Sequence, residues 1–416
     1  MPLDRIERLL ADELSALDAS GTRKGREAVI TAVLPPSAGR GPRYLLAGEG
    51  ERPFLRMNAN GYLGMALRGE VIAAEEEAVR AFGTGPGAVR FISGTYAPHV
   101  ELEGRLAAFH RREAAMVFSS AYATVMGIVP ALITPDTAVI SDALNHNCII
   151  NAVRLARPRE KHVYAHLDMA DLEARLAAAA AACRRAVVVT DGIFSMRGDH
   201  APLGELVALA RRFDNWFADN VVVVVDDSHG VGAFGSTGRG TEEHTGATAD
   251  LLVATLGKAL GVNGGYVVGS QLTIDYLREK APFYVYSNPI TPGEAAAACR
   301  ALDLLDSPAG RSLLAHLREM TGRFREGLVT LGYETLPGDH PVVPLLVRDT
   351  DRTHALVDHL RAQGVLAAGL AYPVVPRGDE EIRFQISADH TAPDIDQVLA
   401  ALAEFPDRPR PPGGIP

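Results

Sequence analysis

Between residues 98 and 300, short apolar runs alternate with longer stretches in which alanine and leucine recur at helical spacing. The runs predict strands at 115–118, 138–141, 162–165, 186–190, 221–225 and 250–255, and the stretches predict helices at 98–111, from 121, from about 146, at 168–182 and at 202–215. Regular alternation of this kind builds a mostly parallel sheet with helices on both faces, an α/β architecture. The five consecutive valines at 221–225 belong in its interior, because an all-apolar, β-branched run suits a strand buried on both sides. After Pro292 a long helical stretch leads into a second pattern, with strands at 342–347 and 382–386 and helices at 353–363 and 393–404.

Ahead of this region, Leu3, Ile6, Leu10, Leu14 and Leu17 recur at helical spacing. They predict an amphipathic helix that packs on something else in the protomer or in a dimer. Proline and glycine clusters then break residues 26–57 into a small antiparallel hairpin region, and a helix near 69–82 follows. The expected organisation is a helix and hairpin segment at 1–57, a large domain at 58–300, a smaller α/β domain at 301–404, and a proline-rich mobile tail at 405–416.

Charge and cysteine usage narrow the function classes. The 416-residue chain carries a net charge of −10 with its basic residues dispersed, which argues against a nucleic-acid footprint or a polybasic membrane patch. No apolar run is long enough for a membrane span, and the first residues lack the apolar region of a signal peptide. Cys148, Cys183 and Cys299 are far apart and odd in number, so they form neither a disulfide framework nor a CxxC site, and a reducing cytoplasm is expected. Gly83-Thr84-Gly85-Pro86-Gly87 follows a helical pattern and contains proline, which is wrong for a dinucleotide fingerprint; Gly257-Lys258 lacks the rest of a Walker sequence. Arg197-Gly198-Asp199 carries no meaning in a cytoplasmic chain. Asp226, Asp227 and His229 are metal-ligand types, but no further ligand clusters with them, and no metal is expected.

Polar residues instead gather at the carboxyl ends of the predicted strands, where open α/β sheets bind ligands. The valine run ends in Asp226-Asp227-Ser228-His229-Gly230, and the next run delivers Lys258 in a glycine-flanked loop after Thr255. An aspartate at one strand end and a lysine after another suit pyridoxal 5′-phosphate, the first pairing with the pyridine nitrogen and the second forming a Schiff base. Ser119-Ser120-Ala121-Tyr122 precedes a helix whose N-terminus can take a phosphate, although Ser-Ser at that place is also an ordinary cap. His146, past another strand end, is a ring-stacking candidate or a structural histidine. Asp191 to Met196 again places polar groups at a strand end. Asn60 either faces a ligand or caps a turn.

These segments together resemble a known family, the α-oxoamine synthases, pyridoxal-phosphate enzymes of fold type I (aspartate aminotransferase-like). The resemblance rests on Asn60-Gly61-Tyr62-Leu63-Gly64, Val89-Arg90-Phe91-Ile92-Ser93-Gly94-Thr95, Ser141-Asp142-Ala143-Leu144-Asn145-His146, Asp191-Gly192-Ile193-Phe194-Ser195-Met196, Asp226-Asp227-Ser228-His229-Gly230 and Thr255-Leu256-Gly257-Lys258-Ala259-Leu260-Gly261, which occur in family order. Tyr372-Pro373-Val374-Val375-Pro376 and Ile382-Arg383-Phe384-Gln385-Ile386-Ser387 extend it towards the C-terminus.

The resemblance implies a role for each position. Lys258 would hold the cofactor and act as the base at the substrate α-carbon, and Asp226 would hold the pyridine proton. His146 would stack on the ring and orient the acyl carbonyl; His229 and Ser195 would meet the phenolic oxygen. Ser120, Ala121, Tyr122 and Thr255 would take the phosphate, with Ser287 and Asn288 reaching it across a homodimer interface, and Asp191 and Ser228 would complete the cofactor set. Arg383, assisted by Asn60, would bind the amino-acid carboxylate. The implied reaction joins glycine or another small amino acid to acetyl-CoA or another acyl thioester, including acyl carried on a carrier protein. A longer acyl donor with alanine or serine is the alternative within the family, and a fold-type I aminotransferase or lyase is the alternative outside it. Arg197 stands where an acidic residue is common, and Gly61, Gly85-Pro86-Gly87 and Asn288-Pro289 also depart from the pattern.

Overall fold

The five-valine strand lies at the middle of a seven-stranded sheet. The computed structural model describes residues 3–20, 23, 27–372 and 374–407, so Pro373 and residues 408–416 of the predicted tail lie outside the described residues. The chain begins with α1 (Asp4–Ala19), β1 (Ile30–Leu34), β2 (Arg43–Leu46), β3 (Leu55–Arg56), α2 (Gly69–Phe82) and α3 (Ala97–Phe109). Strand and helix then alternate: β4 (Ala114–Phe118), α4 (Ala121–Leu132), β5 (Thr137–Asp142), α5 (Asn147–Ala156), β6 (Glu160–Tyr164), α6 (Met169–Ala180), β7 (Arg185–Asp191), α7 (Leu203–Phe213), β8 (Val221–Asp226), α8 (Thr241–Thr245) and β9 (Leu251–Thr255). Next come β10 (Gly265–Gly269), α9 (Gln271–Lys280), α10 (Pro282–Val285), α11 (Pro292–Leu305) and α12 (Pro308–Thr330). The C-terminal part holds β11 (Glu334–Thr335), β12 (Val342–Leu346), α13 (Thr350–Ala362), β13 (Val365–Leu366), β14 (Ala368–Leu370), β15 (Glu381–Gln385) and α14 (Ala392–Ala403).

The large sheet runs in the order β4-β10-β9-β8-β7-β5-β6. Its pairs from β9 to β6 are parallel, and β10 is antiparallel to both neighbours. Side chains alternate between faces along a strand, and the valine run divides accordingly. Val221, Val223 and Val225 join one buried cluster with α3, α6, α7 and α11, while Val224 joins a second with α4, α5 and α9. Both faces are covered, as the apolar pattern predicts. The antiparallel β10 was not predicted, because Gly-Tyr-Val-Val-Gly is short and bounded by glycine.

Parity also decides which aspartate after the valines faces which layer. Asp226 follows the Val222/Val224 face, towards the start of α4 and α5. Asp227 turns to the other face, where it accepts from Thr241 N (2.6 Å) and Thr241 Oγ1 (2.7 Å) and so holds the start of α8. Gly192, Gly230 and Gly240 make room for it, since a Cβ on any of them would lie 2.0–2.2 Å from its carboxylate oxygens.

A four-stranded antiparallel sheet, β11-β12-β15-β14, forms the C-terminal layer. The predicted hairpin is β1 with β2, and the segment after it docks on the C-terminal part. There β3 pairs in parallel with β13, and from the hairpin itself Gly41 N donates to Asp394 (2.8 Å) and Arg43, the first residue of β2, pairs with the same carboxylate (2.5 Å). The predicted first helix forms, yet none of its residues is buried within the chain.

Candidate active site

Because β4, β5, β7, β8 and β9 are parallel, their carboxyl ends share one edge of the sheet, and a cavity of about 200 Å³ lies there. It is lined by Ser120, Ala121, Tyr122, His146, Cys148, Asp191, Ile193, Ser195, Asp226, Ser228, His229, Thr255 and Lys258. The structure thus brings together all the predicted cofactor residues except Ser287 and Asn288, which follow α10 and do not line it. A wider cleft of about 590 Å³ between α12 and the Phe234–Ser236 loop contains none of the predicted residues.

Asp191 and Asp226 are register partners on β7 and β8, so two carboxylates sit side by side. Burial and then the charge of Asp226 push Asp191 well above the usual carboxylate range. Its Oδ2 accepts from His146 N (2.9 Å), and its own N–H is held by Asn145 Oδ1 (2.8 Å). Asp226 is fixed by Ser228, whose N–H (3.1 Å) and hydroxyl (2.5 Å) both reach Oδ1, while the Cys148 thiol faces Oδ2 at 3.7 Å. Ser228 therefore clamps the aspartate.

Lys258 extends from the turn after β9, which is closed by Gly257 N to Thr255 Oγ1 (3.0 Å) and Gly261 N to Lys258 O (3.0 Å). Gly261 is required there: φ is +71°, and a Cβ would lie 2.4 Å from Ala66 N. Burial lowers the affinity of the amine for its proton, and Asp226 and Asp191 oppose that. Among the described residues Lys258 has no hydrogen-bond or ion-pair partner.

Ser120 Oγ caps α4 by accepting from Ala123 N (3.0 Å). This leaves the N–H groups of Ala121 and Tyr122 without an acceptor among the described residues, at a helix start that favours an anion. His146 caps α5: its Nδ1 accepts from Cys148 N (3.2 Å) and faces Cys148 Sγ (3.0 Å), so the ring proton sits on Nε2. Burial and Lys258 keep His146 below the usual histidine range, against the pull of Asp226. His229 lies well below that range through burial, then Lys258. Its Nδ1 meets Tyr62 OH at 2.6 Å.

Arg383 comes from β15, on the C-terminal sheet. Its Nη1 donates to Ser195 O (3.0 Å), and Gln385, with its amide oriented to satisfy its neighbours, accepts from Nε (2.5 Å) and Nη2 (3.1 Å). No carboxylate pairs with this guanidinium among the described residues, and burial lowers its proton affinity. Asn60 Oδ1 faces Tyr62 OH at 3.5 Å. Tyr62, Cys148, Ile193 and Gln385 thus stand among or against the site residues although sequence reasoning gave them no role. For Tyr62 the available signal was its place in the Asn60–Gly64 motif; Gln385 shares a strand face with Arg383.

The arrangement fits pyridoxal phosphate on its own donor set: a half-buried amine and helix-start N–H groups that have no partner among the described residues, paired carboxylates that a cationic ring nitrogen would relieve, and two neutral histidines. The comparisons with known proteins agree. The model of the aminotransferase class I and II family matches residues 52–402. The chain belongs to that family. Within this aminotransferase class I and II group, the chain is 39% identical to human mitochondrial 2-amino-3-ketobutyrate coenzyme A ligase over 97% of its own length and 92% of the relative's. It is also 39% identical to 8-amino-7-oxononanoate synthase 1 of Bacillus velezensis over 87% of its own length and 90% of the relative's. Among solved structures, serine palmitoyltransferase of Sphingomonas wittichii superposes with a TM-score of 0.85 at 29% identity, covering 96% of each chain. A structure described as SPT with PLP gives 0.86 at 28% identity, covering 97% of this chain and 98% of that one. The protein is a pyridoxal-phosphate-dependent α-oxoamine synthase of fold type I, an acyltransferase. Among the described residues no helix is long and apolar enough to cross a membrane.

Proposed function

We propose that the protein condenses glycine, or another small amino acid, with an acyl-CoA such as acetyl-CoA, and that it works as a homodimer in the cytoplasm. One observation carries the substrate reading: the half-buried guanidinium of Arg383, which has no carboxylate partner among the described residues, lies close enough to Lys258 for their charges to act on each other. It is a fork that can take a carboxylate in two parallel hydrogen bonds, and it places that carboxylate beside an amine able to move a proton.

Bound pyridoxal phosphate supplies an electron sink that acidifies the α-proton of the attached amino acid. Lys258, lowered by burial, takes that proton. Asp226, clamped by Ser228, holds the proton of the ring nitrogen, and the free N–H groups of Ala121 and Tyr122 receive the phosphate with Thr255. His146 presents its Nε2 proton to the acyl carbonyl, where developing negative charge is stabilised. Asn60 assists Arg383 at the carboxylate. The homodimer accounts for Ser287 and Asn288, which lie outside their own chain's cavity, and for the exposure of Phe91, Ile92 and Tyr286. Three buried, unpaired cysteines suit a reducing compartment.

The test is a panel of amino acids against acyl-CoAs, followed by thiol release. Release with glycine and a short acyl-CoA is expected. Amino-group transfer to an oxo acid without thiol release with any pair would overturn the reading in favour of a transaminase.

A further inference from the structure

Tyr62 belongs to neither half of the site as assigned, yet its hydroxyl stands between them. The side chain is fully buried. Its backbone is tied to the segment after β15 by Ala388 N to Tyr62 O (2.7 Å), and its ring packs edge-on against His340, 5.5 Å between centroids. The hydroxyl meets His229 Nδ1 at 2.6 Å and Asn60 Oδ1 at 3.5 Å, and Arg383 is near enough to act on it electrostatically. One phenolic proton therefore has two acceptors, one on the cofactor side and one on the substrate side. Burial raises the Tyr62 pKa far above neutrality, so the group remains a donor.

We propose that Tyr62 is a positioning residue that fixes His229 with its proton on Nε2. The inference rests on the site roles proposed above. With Nδ1 accepting from Tyr62, the Nε2–H of His229 is the one left for the cofactor's phenolic oxygen. His340 holds the backbone in place: its Nε2 donates to His229 O (2.9 Å) and its Nδ1 accepts from Val342 N (3.1 Å). The charged and titratable groups facing His229 are Lys258, His340, Arg383 and His146, besides Tyr62.

The experiment is a pH titration of the absorbance of bound pyridoxal phosphate in wild type, Tyr62→Phe, His229→Asn, the double variant and Asn60→Ala, with and without glycine and with no acyl donor present. Tyr62→Phe keeps the buried ring, and a thermal melt checks its fold. Loss of a donor to an oxyanion raises that oxygen's proton affinity, so the glycine-free midpoint should move up by about half a unit or more. The shift should vanish on the His229→Asn background, where Tyr62 has nothing to act through. Asn60→Ala removes the competing acceptor, so its glycine-free midpoint should lie at or below that of wild type, and it should bind glycine more weakly. An unchanged midpoint in Tyr62→Phe, or additive shifts in the double variant, overturns the proposal. Asn60→Ala remains informative if Tyr62→Phe does not fold: a glycine-free midpoint raised in Asn60→Ala also overturns it. Since the titration needs no acyl-CoA, failure of the condensation reading in the thiol-release panel is distinguishable from failure here.

Discussion

Adjacent aspartates after the valine strand have opposite duties, and substitution separates them. Asp226→Asn should leave the fold intact while lowering kcat by a factor on the order of a hundred, because the ring-nitrogen proton loses its charged partner; a full-rate variant would remove Asp226 from that role. Asp227→Ala should instead destabilise the protein by about 2–4 kcal/mol, since the N–H and hydroxyl of Thr241 lose a buried acceptor. Urea unfolding reads that difference. Leu167 offers the reverse case. It adopts φ +59°, a left-handed conformation that asparagine tolerates better than leucine, so Leu167→Asn should stabilise by about 1 kcal/mol; a lower urea midpoint would count against strain at this residue. The parity that separates Asp226 from Asp227 was legible in the sequence, because it needs only the strand. The hydroxyl of Tyr62 on His229 was not: the two residues are 167 positions apart, and only the docking of the Asn60–Gly64 turn beneath β8 and β15 brings them together.

The loop carrying Ser195 is held by an ion-pair chain that joins the end of β5, the turn after β6 and the loop after β7. His166 Nδ1 meets Asp142 (2.9 Å) and Nε2 meets Asp199 (3.2 Å), and Asp199 also accepts from Arg197 Nε (2.9 Å). Arg197, the residue that departs from the family pattern, is thus paired here and also faces Glu381, whose carboxyl burial pushes up to about 7 against the pull of Arg383 and Arg197. Burial opposes the charge on His166, but the hydrogen bonds and charges of Asp142 and Asp199 outweigh it and raise its pKa to about 9. A raised histidine contributes its full stabilisation below the unfolded value near 6.5 and loses it as pH rises through about 9. His166→Gln should therefore be less stable than wild type at pH 6, by about 1–2 kcal/mol after allowing for solvent screening. The gap should close by pH 9.5; a gap that stays constant with pH would show that the imidazolium charge contributes nothing. Element by element, the longer strands and most helices were read from their periodicity to within a few residues at their ends, whereas α8, α9, α10 and the short strands β11, β13 and β14 were not. Within the large sheet only β10 escaped, since its place is set by two antiparallel neighbours and by the close approach of Gly265 to Ala121 N, 2.2 Å from where a Cβ would sit.

At the scale of the whole molecule, residues near both ends of the chain build one region: β3 on β13, and Gly41 and Arg43 on Asp394. This brings the Asn60 turn against β15, the source of Arg383. The amino-acid side of the site therefore depends on two segments far apart in sequence, which no local pattern reveals. What a single chain leaves open is the phosphate side. Tyr122 lines the cavity and is 42% exposed, Tyr286 is 81% exposed, and Ser287 and Asn288 follow it outside the cavity. If a second copy covers this face and supplies Ser287 and Asn288, each site takes its lysine from one protomer and those two residues from the other. Lys258→Ala and the double variant Ser287→Ala/Asn288→Ala would then each be impaired alone. Mixed by refolding or co-expression, half of the dimers would be hybrids, and each hybrid would contain one site with Lys258, Ser287 and Asn288 all intact. About a quarter of wild-type activity should return. Recovery that stays at the sum of the two parents would mean that each site is built from one chain alone, and the assignment of Ser287 and Asn288 to a neighbouring subunit's phosphate would fall with it.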